Sequence, residues 1–272
     1  HIVSRRQRQM CIRDSLSPGV LSSINYSKTL SQLPKMAMLS SVLTTTYIEQ
    51  VDRKTKDKNE YLNYTNRMEK ALNEVAFVFQ LFSMAFAPFI LVLFFKRGAF
   101  GAQAVEQTFL FYQILTIGFL PGLMTSFLSR TMYIESQYKT LFKIILIKSI
   151  IEISLMYYFI EITQYSIPIA IVIGKFFTSI AIFIYLINHQ PGIFNVPKFI
   201  KTYIFLVLSS GLILAINHYS LVFILSKDLL GMVFMYLPIF LVFALVTLLY
   251  FKGQYKNDLV YLFNRRKKKH VD

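Results

Sequence analysis

The sequence predicts an all-α integral membrane protein, and three observations carry that prediction: an apolar composition, runs of spanning length, and an uneven placement of charge. Hydrophobic residues make up 55% of the 272 positions against 16% charged, with a mean hydropathy of +0.50, more apolar than a soluble globular domain. A helix that crosses a bilayer needs about 20 predominantly apolar residues. Stretches of that kind recur at 75–95, 107–129, 141–160, 166–187, 199–225 and 229–251. With an opening segment around 22–41 the expected total is about seven spans.

Lysine and arginine number 29 against 14 acids. Such an excess also suits nucleic acid, so its distribution has to decide. Arg53, Lys54, Lys56, Lys58, Arg67 and Lys70 follow the opening span. Arg130, Lys139, Lys143 and Lys148 surround the loop after the third, Lys198 and Lys201 follow the fifth, and "NRRKKKH" follows the last. The intervening loops hold only Lys96, Arg97 and Lys227. Basic residues collect on the cytoplasmic side of membrane proteins. The basic loops and the C-terminus are therefore predicted to be cytoplasmic, with the opening helix running inward. Membrane lipids are expected partners and nucleic acid is not.

Little in the sequence argues for an enzyme. Cys11 is the only cysteine, which excludes an intrachain disulfide or a CxxC site, and His1, His189, His218 and His270 have no ligand spacing. Phosphate-loop and serine-hydrolase motifs are absent. No metal and no cofactor are expected. The basic run "HIVSRRQRQMCIRDS" precedes the apolar sequence without the apolar region of a signal peptide. Residues 1–15 read as a non-native, adapter-derived segment and are set aside. Residues 16–190 then hold five spans, 191–252 two more, and 253–272 a basic cytoplasmic tail.

Several elements carry polar groups where lipid would exclude them. In "SSINYSKTLSQLPKMAMLSS", Asn25, Lys28, Gln32 and Lys35 are spaced so that they share one helical face, extended outward by Ser22. A charge facing lipid at mid-bilayer costs about 3 kcal/mol or more, so this stripe is expected to line a water-filled cavity or a partner helix. Lys35 also has the alternative of snorkelling to the interface. Pro34 is expected to bend the helix, and Pro88, Pro121 and Pro168 to kink theirs. "EQVDRKTKDKNEYLNYTNRMEKALNE" reads as a solvated connector, with the alternative that its second half, from about Tyr61, forms an amphipathic helix lying along the interface. Lys148 and Glu152 are four residues apart, and Lys175 falls at a similar depth in the next span. Glu152 is predicted to be ion-paired within the membrane, to Lys148 or Lys175, either as part of an ion pathway or as a structural bridge. The last two spans carry no central charge and read as scaffold.

The motif order is similar to one known family. "PGVLSSINYSKTLSQLPKMAMLSSVLTTTYI" resembles the eighth helix of the MurJ/MviN lipid II flippases. "LVLFFKRGAF" and "AVEQTFLFYQILTIGFLPGLMTSFLSRTMYIESQYKT" resemble the ninth and tenth, over residues 18 to about 190 in all. Thr29 stands where that family usually has arginine, with Lys28 one position earlier, while Gln137 and Leu141 replace the usual Asp and Pro. The resemblance implies the C-terminal lobe of a fourteen-helix, MOP/MATE-like exporter that works by alternating access, with an N-terminal lobe of the same protein as its partner. It implies a bacterial inner-membrane location, a lipid-linked oligosaccharide as substrate, and coupling to membrane potential or a monovalent cation. Lys28 is the expected headgroup contact, with Asn25, Gln32 and Lys35 around it. Glu152 and Lys148 fall where some relatives hold a cation, so the Lys148 ammonium would serve as a tethered one. The alternatives within the superfamily are a Wzx-like exporter of O-antigen or capsule units and a multidrug or ion antiporter. A non-transporting scaffold is the alternative outside it.

Overall fold

Proline decides where two of the predicted spans break. The protein is described by a computed structural model covering residues 19–34, 36, 40–95, 102–159, 163 and 165–225. Its described helices are α1 (Val20–Pro34), α2 (Ser40–Lys56), α3 (Lys58–Ala85), α4 (Ala87–Phe95), α5 (Ala102–Ile117), α6 (Phe119–Ile134), α7 (Tyr138–Phe159), α8 (Ser166–His189) and α9 (Val196–Leu225). The span expected at 75–95 divides at Phe86. Pro88, in the first turn of α4, has no N–H for the Met84 carbonyl, and its ring would clash there. The Phe86 N–H closes α3 on Phe82 O at 3.0 Å.

The span expected at 107–129 divides at Gly118, where α5 and α6 meet at a bend of 41°. Pro121 is its cause on the same reasoning, since Ile117 O would lack a donor. Gln80 of α3 secures the break. Its Oε1 accepts the Leu120 N–H at 2.9 Å, while its Nε2 donates to Ser210 Oγ of α9 at 3.3 Å. Pro168 lies in the first turn of α8, a position that tolerates proline, so it starts that helix rather than kinking it. α1 ends at Pro34 and α2 begins at Ser40, so the bend expected at Pro34 falls where residues 35 and 37–39 lie outside the described residues.

Among the described residues, two helices are long and apolar enough to cross a membrane, Ser166–His189 and Val196–Ala215, and a third span is available if the bent α5–α6 pair is one. The predicted count of about seven is therefore supported only in part. α7 has the length but carries Lys143, Lys148 and Glu152, and the stretch 229–251 lies outside the described residues, as does the C-terminal tail.

The connector expected between the first two spans is corrected by the structure. It forms a helical hairpin, with α2 reaching Lys56 and α3 starting at Lys58 after the Asp57 cap, whose carboxylate accepts from the Asn59 N–H at 2.8 Å. The half from Tyr61 is helical as expected, but it continues into α3 and packs against α2, α6 and α9 instead of lying on an interface. It does so because Tyr61, Thr65, Glu69, Leu72, Asn73 and Ala76 form one buried face.

The core surrounds α6, whose Leu120, Leu123, Met124, Phe127 and Leu128 are buried against α3 and α8. On the α8–α9 seam, the Phe183 and Phe199 rings stack at 3.6 Å and Tyr203 follows at 4.3 Å. α1 attaches to α5 through Ser23, Ser27 and Ser31, small residues that allow close approach. The Ser27 hydroxyl lies 2.8 Å from Thr108 O. α7 leaves Phe142, Ile145, Ile153 and Tyr157 uncovered, a surface suited to lipid, where apolar burial between helices brings little gain.

Candidate functional site

One face of α6 is nearly bare of side chains. Gly118, Gly122, Ser126 and Arg130 recur every four residues, so they align along the helix, about 18 Å from end to end at its rise. Beside this strip lies a cleft of about 340 Å³, walled also by Ser31 and Gln32 of α1, Ser40 and Leu43 of α2, Leu115 of α5, and Lys175 of α8. The Lys175 stem crosses the helix break: a methyl group at residue 118 would come within 2.9 Å of its Cδ, and one at residue 122 within 3.4 Å. At the other end of the strip, Arg130 has its Nη1 buried without a hydrogen-bond partner among the described residues. A buried guanidinium nitrogen lacking an acceptor is costly. The cleft thus joins two cations through a floor of small residues, with hydroxyls and an amide around it.

The structure assembles only part of the stripe expected on the opening helix. Gln32 reaches the cleft. Asn25 and Lys28 lie on the uncovered face of α1, opposite its serine seam, and Lys35 is outside the described residues. Arg130 read in the sequence as a topology charge, and only its spacing from Gly118, Gly122 and Ser126 signals another use.

Lys148 and Glu152 pair at 3.0 Å along α7. The carboxylate lies against α8 at Gly174, where an added Cβ would stand 2.1 Å from Oε1. Glu152 thus lies against the residue that precedes Lys175 in α8. The Lys175 side chain nonetheless extends over Gly118 and Gly122 toward the cleft, because those glycines leave its stem room.

The family model described as lipid II flippase MurJ matches residues 7–249. The chain belongs to the MurJ lipid II flippase family. As a member of it, the chain is a multi-pass inner-membrane transporter rather than an enzyme, in a family that serves peptidoglycan synthesis. The match takes in part of the opening basic run, which lies outside the described residues. No curated protein matches the chain. Among the described residues, no group of three His, Cys, Asp or Glu side chains is placed to hold a metal.

In this flippase-family chain, three turns gather at one end of the helices. Glu135, in the α6–α7 turn, pairs with Lys54 of α2 at 2.9 Å and accepts from Gln190 beyond α8. Lys54 also donates to Ile134 O at 2.8 Å. Burial, and then the neighbouring Glu135 carboxylate, hold the Tyr61 phenol of α3 above its usual range. Tyr185 donates to Gln137 Oε1 at 2.7 Å. Arg53 binds Glu60 and Glu49 and lies 4.3 Å from the Tyr64 ring centre, closing the α2–α3 hairpin by charge and cation–π attraction.

Proposed function

We propose that the chain moves lipid II, or a closely related undecaprenyl-pyrophosphate-linked glycan, by alternating access, and that the cleft along α6 receives the diphosphate. The observation that carries this is that Arg130 and Lys175 line one cleft, toward opposite ends of a floor of two glycines and a serine. A diphosphate needs concentrated positive charge and hydrogen-bond donors, which act more strongly in a site shielded from bulk water. Arg130 offers a planar fork for two phosphate oxygens, and Lys175 a flexible point charge. Gln32 supplies a neutral amide donor, and the Ser31, Ser40 and Ser126 hydroxyls, which donate to the Lys28, Met36 and Gly122 carbonyls, would turn from them to a ligand. The volume is at the low end of small-ligand pockets, about 300–1,000 Å³, enough for a diphosphate but not for a whole glycan. The sugars are accordingly assigned to the uncovered face of α1, beside Asn25 and Lys28, with Lys35 three residues beyond Gln32.

Energy coupling is assigned to the Lys148–Glu152 pair, in which the ammonium acts as a tethered cation on an intramembrane carboxylate. Transport unchanged in rate and in its dependence on membrane potential in Lys148→Ala would remove that assignment.

The deciding experiment is complementation of cells depleted of their lipid II flippase by the whole gene product. Wild type is expected to rescue growth. Arg130→Met combined with Lys175→Met should fail to rescue at normal membrane abundance. Rescue by the double variant would exclude the cleft as the headgroup site, whereas failure of the wild type would point to a different lipid-linked glycan.

A further inference from the structure

The stretch of α3 that precedes its apolar part buries a carboxyl group with no cation of its own among the described residues. Glu69 is 3% exposed, and its hydrogen-bond partner is Asn73 on the same helix, whose Nδ2 donates to Glu69 Oε1 at 3.3 Å. The Asn73 Oδ1 atom is buried without a donor among the described residues. Lys198, at the start of α9, binds Glu74 instead. Arg67 and Lys70 are on the exposed side of α3. The phenol of Tyr203 of α9 is near enough to feel Glu69, but it is hydrogen-bonded to Ser179 Oγ at 2.6 Å. α2 and α6 meet this face through Thr46, Gln50 and Thr131, which carry no charge. The cations of α2 are engaged elsewhere, Arg53 with Glu49 and Glu60, Lys54 with Glu135 and Lys56 with Asp52, and Arg130 of α6 lines the cleft.

An ionised carboxylate in this place would be buried against an unpaired amide oxygen, at a cost that neutralisation removes. A proton taken from water converts Glu69 to a carboxylic acid whose O–H donates to Asn73 Oδ1. Asn73 Nδ2 still donates to Oε1, which closes a cyclic acid–amide pair and satisfies the orphaned oxygen. Loss of that proton sets a second carboxylate beside Glu74, and the Lys198 ammonium that binds Glu74 then acts on both. We propose that Glu69 and Asn73 form a proton-binding site whose occupancy sets the grip of α3 on α9 through Lys198.

The energetic direction agrees with this geometry. Burial pushes the Glu69 carboxyl up to about 7 from 4.5, Lys198 opposes the shift and Glu74 adds to it. Because the folded value lies above the unfolded one, the stability the proton confers is present below about pH 4.5 and is lost as the pH rises to about 7.

Infrared difference spectroscopy on the full chain in lipid nanodiscs tests the site, and the 14 acidic residues keep assignment tractable. A protonated-carboxyl band is expected to disappear with a midpoint near 7, to be absent in Glu69→Gln and to remain in Glu74→Gln. The Lys198→Met variant should titrate at a higher pH, because it removes the cation that favours the ionised form. Persistence of the band in Glu69→Gln, or a midpoint at the ordinary 4.5, would overturn the proton site. A midpoint unmoved in Lys198→Met would overturn the link to α9, and that variant also serves if Glu69→Gln does not fold.

Discussion

Gly174 is a glycine because another residue occupies the space its side chain would take. The Glu152 carboxylate fills it from α7, 2.1 Å from where Cβ would stand. Gly174→Ala must displace that carboxylate and strain the 3.0 Å pairing with Lys148. A cost of about 1–3 kcal/mol is expected, as for overpacking elsewhere, read as a lower thermal midpoint in detergent. Combining Gly174→Ala with Glu152→Ala should recover most of that loss. An undiminished midpoint in the single variant would show that the two helices separate freely there. The spacing of Lys148 and Glu152 was legible in the sequence because residues four apart on one helix are always neighbours. The requirement for glycine at 174 was not, since it comes from a different helix. The place of Arg130 in the cleft was hidden for a similar reason: a basic residue near a predicted loop reads as a topology signal, and the bare strip of α6 beside it appears only in the fold.

At the scale of the elements, proline placement explains the two broken helices, and packing explains why the breaks are tolerated. Gly118 leaves room for the Lys175 stem, and Gln80 supplies an acceptor that the first turn of α6 needs. The helix bend and the cleft cation are thereby one structural unit. Gly118→Ala brings a methyl within 2.9 Å of Lys175 Cδ and is expected to destabilise the chain. The same change in a Lys175→Ala background should cost little. A double-mutant cycle should show a coupling of about 0.5–3 kcal/mol, the range for residues in contact, and a coupling near zero would separate the bend from the lysine. The helical character of α2 and α3 was only half legible: mixed charge from Arg53 to Lys70 suggested a solvated connector. The buried run Tyr61, Thr65, Glu69, Asn73 has a four-residue spacing, but polar residues at core positions do not announce burial without their partners.

For the whole molecule, the turns at Asp57, at Ser136 and at Gly192 belong to the end held together by Glu135, Lys54 and Gln190. The loops that the charge distribution places on one side of the membrane are therefore neighbours in space. Cysteine reporters at 57, 136 and 192 should all label from the cytoplasmic face of intact cells and none from outside. A reporter that labels from the opposite face would contradict the orientation.

Composition and periodicity alone determined that this is a helical membrane protein. They also determined which loops share a side, and that an acid and a lysine pair along one apolar helix, because each of these properties is local or additive along the chain. Motif order carried the family, and its lipid II flippase membership agrees. Only the tertiary structure decided that Gln32, Arg130 and Lys175 line one cleft while Lys28 does not, and that Glu69 is buried without a cation of its own among the described residues. A cavity or a buried charge exists where helices distant in sequence approach each other. That approach depends on side-chain volume and hydrogen-bond satisfaction across their seams, which no single segment encodes.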